Sequence, residues 1–399
     1  MALTVSVDEI VHGSRNSLLD VRPHWKRIRL REIASVLNGG AFKSTQFTKG
    51  DGVPLIRIRD VGSDSTDTNY VGEFDERYIV EPGDLLIGMD GDFNCARWRG
   101  PRGLLNQRVC KVTLQGDQYH PRFLDFALPG YLKAINDATS SVTVKHLSSR
   151  TVEDIPLPFP SLHEQDEIVA ELEKQFSRLD EAVANLKRVK ANLDRYVGAT
   201  LGEAFSGKWA GTEADWQSVP LREVADVQLG QQRAPVHAAD ANPIPYVRAA
   251  NVSWQGLDLS DVKSMGFPNA ARYRLAYGDI LLAEASGSAN EVGKPAIWRD
   301  EIPGACYQKT LIRVRCQPDR LNFEFAYYFF LHAALSGQFA RLAPGVGILH
   351  LTAERMLVWP TVAPTLRIQA VVVAEVDRRL SIVREVEAEV DANLKRAQA

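Results

Sequence analysis

Several stretches carry the residue types from which an active site could be built. In EPGDLLIGMDG, residues 81–91, Asp84 and Asp90 flank an apolar run and Asp92 follows. Paired carboxylates can hold a divalent metal or divide acid and base duties. GSANEVGKP (287–295) has the Gly and Lys of a phosphate loop, but its spacing is one residue too long and Pro295 stands where a hydroxyl is needed. PDRLNFEFA (318–326) offers nuclease-like carboxylates without a Lys near Glu324 to help activate water. Cys95, Cys110, Cys306 and Cys316 form no CxxC pair, so neither a structural zinc nor a disulfide framework is expected. The chain contains no HExxH, no G-x-S-x-G and no NPPF-like or Gly-rich methyl-donor motif, so it is not expected to methylate bases itself.

The chain of 399 residues exceeds what one ordinary domain needs, and its 45% hydrophobic and 24% charged residues fit a folded chain rather than a disordered one. No apolar run is long enough to span a bilayer and the N-terminus does not resemble a signal peptide, so a cytoplasmic location and no membrane partner are expected. The net charge of −3 argues mildly against a dedicated nucleic-acid binder. That average hides basic stretches, RPHWKRIRLR (22–31) and RWRGPRGLLNQRVCK (97–111), and an acidic one, HEQDEIVAELE (163–173).

The elements that would position these residues are written twice. WKRIRLREIASVLNGG from Trp25 recurs as WQSVPLREVADVQLGQ from Trp216. VPLIRIRDV (53–61) recurs as IPYVRAANV (244–252), pairing Arg57 with Arg248. YIVEPGDLLI (78–87) recurs as YRLAYGDILL (273–282), and LNQRVCKV (105–112) as CYQKTLIRV (306–314), pairing Gln107 with Gln308. IPLPFPSLHEQ (155–165) recurs as WPTVAPTLRIQ (359–369). The preserved order implies two homologous domains in tandem. Each begins with short Val-, Ile- and Tyr-rich runs punctuated by turn residues, which predicts many short strands and one helix. PRFLDFALPGYLKAI (121–135) and LNFEFAYYFFLHAAL (321–335) are those helices. Each domain ends at a proline cluster that launches a long helix.

Heptad-like stripes mark the long helices: Leu162, Val169, Leu172, Phe176, Leu179, Val183, Leu186, Leu193 and Val197, then Leu366, Val373, Val376, Leu380, Val383, Val390 and Leu394. Mutual pairing as a coiled coil is expected, over roughly 60 and 45 Å at about 1.5 Å per residue. The expected fold class is α+β: two duplicated strand-rich domains separated by two long helices that pair as a coiled coil. The expected segments are an N-terminal extension (1–24), a first domain (25–160), a central helix (161–205), a linker (206–215), a second domain (216–364) and a C-terminal helix (365–399).

The repeat tests the carboxylate pair. Asp84 is matched by Asp279, each after a Gly and before an apolar strand, which reads as turn chemistry. Asp90 has no carboxylate counterpart one strand-length on, where Ala285 and Ser286 stand. A fixed scaffold followed by a variable polar loop is the pattern of a recognition surface. Residue types that contact bases and phosphates select Lys43, Ser44, Gln46, Arg57, Arg59, Asp92, Asn94, Arg97, Arg99, Gln107, Arg108 and Lys145 in the first domain. In the second they select Gln231, Gln232, Arg233, Arg248, Asn251, Ser288, Asn290, Lys294, Gln308, Lys309 and His350. The repeated Arg57/Arg248 and Gln107/Gln308 pairs fit a shared phosphate contact or a shared fold-stabilising bond equally well.

In this order, the motifs W-x4-L-R-E, P-x2-R, Y-x4-GDLL/GDIL, NQR/YQK and PLPFPSLHEQ resemble the specificity subunit of type I restriction-modification systems, the HsdS family. The resemblance begins at Trp25 and spans nearly all that follows. It implies two target recognition domains, each reading half of a bipartite asymmetric DNA site, spaced by the two helices as an antiparallel coiled coil. It implies no catalytic residue, metal or cofactor on this chain, S-adenosylmethionine belonging to the methylating partner. Implied partners are double-stranded DNA, two copies of the methyltransferase subunit and a restriction endonuclease subunit. Glu164 and Gln165, with Gln369 in the second copy, would lie on the docking helices; the second copy lacks the Glu. The alternative is a tandem-domain coiled-coil adaptor that binds proteins.

Overall fold

The computed structural model describes residues 5–14, 16–139, 145–210, 213–234, 242–288, 291–343 and 348–398. The chain divides into two compact units, Met1–Leu179 and Asp180–Ala399. No helix among the described residues is long and apolar enough to cross a membrane.

Unit 1 contains β1 (Ala34–Asn38), β2 (Val53–Ile56), β3 (Leu85–Gly88), β4 (Cys95–Arg97), β5 (Gly103–Leu105) and β6 (Val109–Leu114). Unit 2 repeats them as β7 (Ala225–Leu229), β8 (Ile244–Val247), β9 (Ile280–Ala283), β10 (Pro295–Ile297), β11 (Cys306–Tyr307) and β12 (Leu311–Cys316). The main sheet runs β1-β6-β3-β4 in the first and β7-β12-β9-β10 in the second. Val36 faces Val112, which faces Leu85; Val227 faces Val314, which faces Ile280. All four residues of β3 and of β9 are buried, as a continuous apolar run inside a sheet requires. A second sheet in each unit joins β2 to β5, or β8 to β11, in parallel.

Among the helices, those of seven residues or more in the described chain are α1 (Val7–Gly13), α2 (Pro121–Ala138), α3 (Leu162–Ala204), α4 (Phe323–Leu335) and α5 (Leu366–Gln398). Phe123, Leu124 and Leu128 of α2 join the core beneath the unit 1 sheet, and Phe325, Ala326 and Phe330 of α4 do so in unit 2. The first residues, outside the resemblance, belong to that core too. Val7, Ile10 and Val11 of α1 are buried with α2, and Arg27 ties the following segment down by donating to the Leu19 carbonyl at 2.7 Å and Tyr131 Oη at 2.8 Å. In unit 2 the end of α3 fills the matching place, with Leu201 and Ala204 buried among α4 residues.

Within unit 2, α3 and α5 pair antiparallel. Lys190 meets Asp391 at 2.6 Å, while the later residue Glu203 meets the earlier Arg379 at 3.2 Å. Val376, Leu380, Val383 and Val390 are buried along the seam. The stripe is not covered everywhere: Leu162, Phe176 and Leu179 of α3 lie exposed in unit 1, and Leu366 of α5 in unit 2. Outside the stripe, Ile382 and Val386 of α5 are exposed as well.

Candidate nucleic-acid interface

Asp84 and Asp90 stand at opposite ends of β3. Six residue steps of extended chain at about 3.3 Å each put them roughly 20 Å apart, too far to share a metal or a proton. Gly83 has φ of 97° and Gly278 of 86°, the left-handed region in which glycine pays no steric cost. The Asp that follows folds its carboxylate back: Asp84 Oδ2 accepts from the Glu81 amide at 2.9 Å and Asp279 Oδ2 from the Ala276 amide at 2.8 Å. The shared Gly-Asp is therefore a turn that starts the strand.

The other end of each main sheet gathers five segments. In unit 1 the Gly40 amide donates to Leu105 O, Asn106 to Ile56 O, Met89 to Arg108 O, Gly91 to Lys145 O and Leu147 to Met89 O. In unit 2 Gln231 donates to Tyr307 O, Gln308 to Val247 O, Glu284 to Thr310 O and Leu351 to Glu284 O. The same backbone frame thus brings together the loops after β1, β2 and β3, the β5–β6 turn and a distant strap, with different side chains on each copy. This frame also corrects the register. Asn106, not Gln107, is the counterpart of Gln308; Gln107 corresponds to Lys309.

Lys43, Ser44, Asp92, Asn94, Gln107 and Arg108 are exposed on the frame of unit 1, Arg108 also pairing with Asp90 at 3.2 Å. Arg99 is exposed too, but it follows Trp98 at the turn end of the sheet, away from the frame. Buried Phe93, held at φ of 53°, anchors the loop that carries Asp92 and Asn94. Gln232, Arg233, Ser288, Lys309 and His350 are exposed in unit 2, where Gln231 is half-buried. Asn290 lies outside the described residues. The remaining candidates are taken up inside their domains. Gln46 Oε1 accepts from Tyr70 Oη at 2.6 Å, and Lys145 Nζ donates to Asn136 O at 2.6 Å. Arg97 donates to Asp125 at 2.8 Å and to the Gly83 carbonyl at 2.7 Å, at the turn end of the sheet. Lys294 pairs with Glu291 beneath Trp254. Asn251 is buried; its Oδ1 accepts from the Arg248 amide at 3.0 Å and its Nδ2 donates to Asp258 O at 2.9 Å. Gln308 Oε1 accepts from Thr310 Oγ1 at 2.6 Å. Arg57 pairs with Asp67 at 2.9 Å and Arg248 with Asp261 at 2.6 Å, a repeated internal bond; Arg59 shares Asp67.

A histidine in each unit completes the frame. His146 Nδ1 lies 2.7 Å from Asp90, and His350 Nδ1 lies 3.1 Å from Glu284. Asp90 therefore has a counterpart after all, displaced by one position: Glu284 occupies the place of Met89. The signal for His146 was present in the chain, as HLS at 146–148 and HLT at 350–352 stand at the offset of the proline clusters. Two buried tryptophans, Trp98 and Trp298, were likewise visible as WR pairs following β4 and β10. Burial pushes the thiols of Cys95, Cys110 and Cys316 up to about 12 and that of Cys306 to about 11, which removes them as nucleophiles at neutral pH. Among the described residues no cluster of His, Cys, Asp or Glu could hold a metal.

The helix candidates fasten the helices to their own domains. Gln165 and Gln369 are fully buried. Gln165 Oε1 accepts from the His120 amide at 2.7 Å and its Nε2 donates to Pro160 O at 3.0 Å; Gln369 bonds the Asn322 amide at 2.7 Å and Pro364 O at 2.6 Å. Glu164 closes a capping box with Ser161 and accepts from Trp25 Nε1 at 3.1 Å and His24 at 3.1 Å. Trp25 first, then His24 and Ser161, hold its carboxyl at about 2, below the ordinary 4.5. Because the folded value is depressed, these bonds stabilise the fold above the ordinary value and are lost as pH falls toward about 2. Acid titration of unit 1 stability is expected to show a component in that window that Glu164→Gln flattens. Parallel melting-temperature curves for the two proteins across the window would contradict it.

Residues 23–191 match the family model described as type I restriction modification DNA specificity domain. The chain is 46% identical over 326 residues to the type I restriction enzyme EcoBI specificity subunit of Escherichia coli, covering 76% of this chain and 68% of that one. It is 22% identical over 405 residues to the EcoKI specificity subunit of Escherichia coli strain K12, covering 93% and 85%. In fold it is similar to a solved chain from work on assembly and conformational transition of the type I R-M system, with TM-score 0.68, 17% identity and 95% and 96% coverage. The HsdS subunit from Thermoanaerobacter tengcongensis is similar at TM-score 0.53 and 18% identity, covering 94% of this chain and 95% of that one.

Proposed function

The chain belongs to the type I restriction-modification DNA specificity family, and from that premise we propose how its two domains divide the reading of DNA. It is a non-catalytic DNA specificity subunit, acting with the methyltransferase and restriction subunits of a type I system. Each domain reads one half of a bipartite asymmetric site through the frame at the end of its main sheet. In domain 1 the reading side chains are Lys43, Ser44, Asp92, Asn94, Gln107 and Arg108; in domain 2 they are Gln231, Gln232, Arg233, Ser288 and Lys309. Arg57 and Arg248, bound to their Asp partners, act mainly as supports. One observation carries this reading: the same hydrogen-bonded frame presents different polar side chains in the two copies. A common scaffold with unlike loops is what reading two unlike half-sites demands.

Two copies of the methyltransferase subunit dock on the long helices, where exposed Phe176 and Leu179 in one unit and Ile382 and Val386 in the other offer apolar surface. S-adenosylmethionine is held by those subunits, and the complex works in the cytoplasm with its DNA. The test is to exchange residues 89–99 for the same segment of a relative with another target and to map methylation by the assembled complex. We expect one half-site to change, each lost base contact being worth about 1 to 3 kcal/mol, while the other half-site stays. A continuous site, or no preference over random duplex, would overturn the reading.

A further inference from the structure

Two domains that read different sequences share little at their reading ends beyond the Arg57–Asp67 and Arg248–Asp261 pairs, yet they share a histidine–carboxylate pair. His146 and Asp90 have side chains 46% and 19% exposed; His350 and Glu284 are 50% and 20% exposed. In both, the histidine lies directly across a β-bridge from the residue that follows the Met89 or Glu284 position: Asp90 faces His146 and Ala285 faces His350. In both, the next residue, Leu147 or Leu351, is buried and returns its amide to the strand end at 2.7 Å. The carboxylate comes from different chain positions in the two copies. Convergence on one arrangement from two positions points to a retained role for the imidazole rather than to inherited packing alone.

The carboxylate takes Nδ1 and so fixes the ring plane, leaving Nε2 without a partner among the described residues and able to meet a ligand. In unit 1 Arg108 shares the carboxylate, reaching the other Asp90 oxygen at 3.2 Å. Sequence differs between the half-sites, but the phosphate backbone does not. What is common to both reading surfaces should therefore contact what is common to both half-sites. We propose that His146 and His350 are a repeated pair of phosphate contacts, with Asp90 and Glu284 as positioning residues. In the complex the ring donates one N–H to the carboxylate and the other to a phosphate oxygen. This rests on the recognition reading above.

The experiment uses the complex assembled with its methyltransferase subunits and two duplexes, one bearing the mapped site and one of random sequence. His146→Ala and His350→Ala should each weaken binding to both duplexes by about tenfold, as loss of one charged hydrogen bond predicts. Base preferences should stay unchanged, and the salt slope should fall by about 1. His146→Asn decides between contact and mere bracing. Its amide N–H can keep the bond to Asp90 while removing Nε2, so it should behave like alanine in binding with an unchanged melting temperature. Wild-type affinity and slope for His146→Asn, or a changed preference at a single base pair, would overturn the proposal. If the wild-type complex itself shows no split-site preference, the recognition reading fails instead.

Discussion

Trp298→Ala is expected to destabilise unit 2 by about 3 to 5 kcal/mol, the range for emptying a large buried aromatic site. At roughly 2 to 4 °C per kcal/mol for units of this size, its melting transition should fall by roughly 6 to 20 °C. The side chain is 1% exposed and packs with Val247, Leu281, Ala296, Tyr307 and Leu311, so it joins the two sheets of the domain. Its backbone also holds the strand-entry turn: Gly278 donates to Trp298 O at 2.9 Å and Trp298 donates to Asp279 O at 2.8 Å. Trp98 does the same in unit 1, with Gly83 and Asp84 each at 2.8 Å, and adds an indole bond to the Pro101 carbonyl at 2.8 Å. Truncation therefore removes packing at the point where the Gly-Asp turn is braced. Calorimetry should show Trp298→Ala lowering one transition and Trp98→Ala lowering the other. A loss below about 1 kcal/mol, or equal movement of both transitions, would contradict the account of two separately cored domains.

The sequence disclosed most where bonding is local. The Gly-Asp turn spans four residues and repeats with its neighbours, so comparing the copies sufficed to remove Asp84 from chemistry. The heptads disclosed where α3 and α5 have a stripe. Spacing alone does not say what covers it, and Phe176 and Leu179 are left exposed where Val376 and Val383 are buried. Contacts between distant residues were the hardest to see. His146 is 56 residues from Asp90 and His350 is 66 from Glu284, and the carboxylate slides by one position between copies. An alignment of like residues therefore reports Asp90 as unmatched although its role is kept. The same one-residue ambiguity placed Gln107 opposite Gln308, because a turn can be aligned by side chain while the backbone bonds follow Asn106. Residue type also cannot distinguish a reading side chain from a bracing one: Lys43 and Lys145 are alike in chemistry, and only the second is spent on Asn136.

Gly39→Ala and Gly230→Ala should be the substitutions that separate reading from folding most sharply. Neither glycine has a positive φ, so a backbone argument alone would predict that alanine is tolerated or even stabilising by a few tenths to 1 kcal/mol. The surroundings reverse that sign. A Cβ on Gly39 would fall on the Asn106 carbonyl, and one on Gly230 on the Gln308 carbonyl, far inside van der Waals contact and against backbone that has no rotamer to change. The two chains must separate, which strains the bonds from Gly230 to Leu311 O at 3.1 Å, Gln231 to Tyr307 O at 3.1 Å and Lys309 to Gln231 O at 2.9 Å. Overpacking of about 1 to 3 kcal/mol, plus about 1 kcal/mol for each bond lost, brings the expected cost to about 3 kcal/mol or more. The displaced segment carries Gln231, Gln232 and Arg233 in one domain and Lys43 and Ser44 in the other, so recognition should fail domain by domain. Below the lowered melting temperature, the Gly230→Ala complex should still bind through domain 1 and lose discrimination only in the half-site of domain 2; Gly39→Ala should do the converse. Methylation mapped on a library with one half-site randomised at a time reads this directly. Wild-type stability together with unchanged preference in both halves would show that the frame is not where DNA is read.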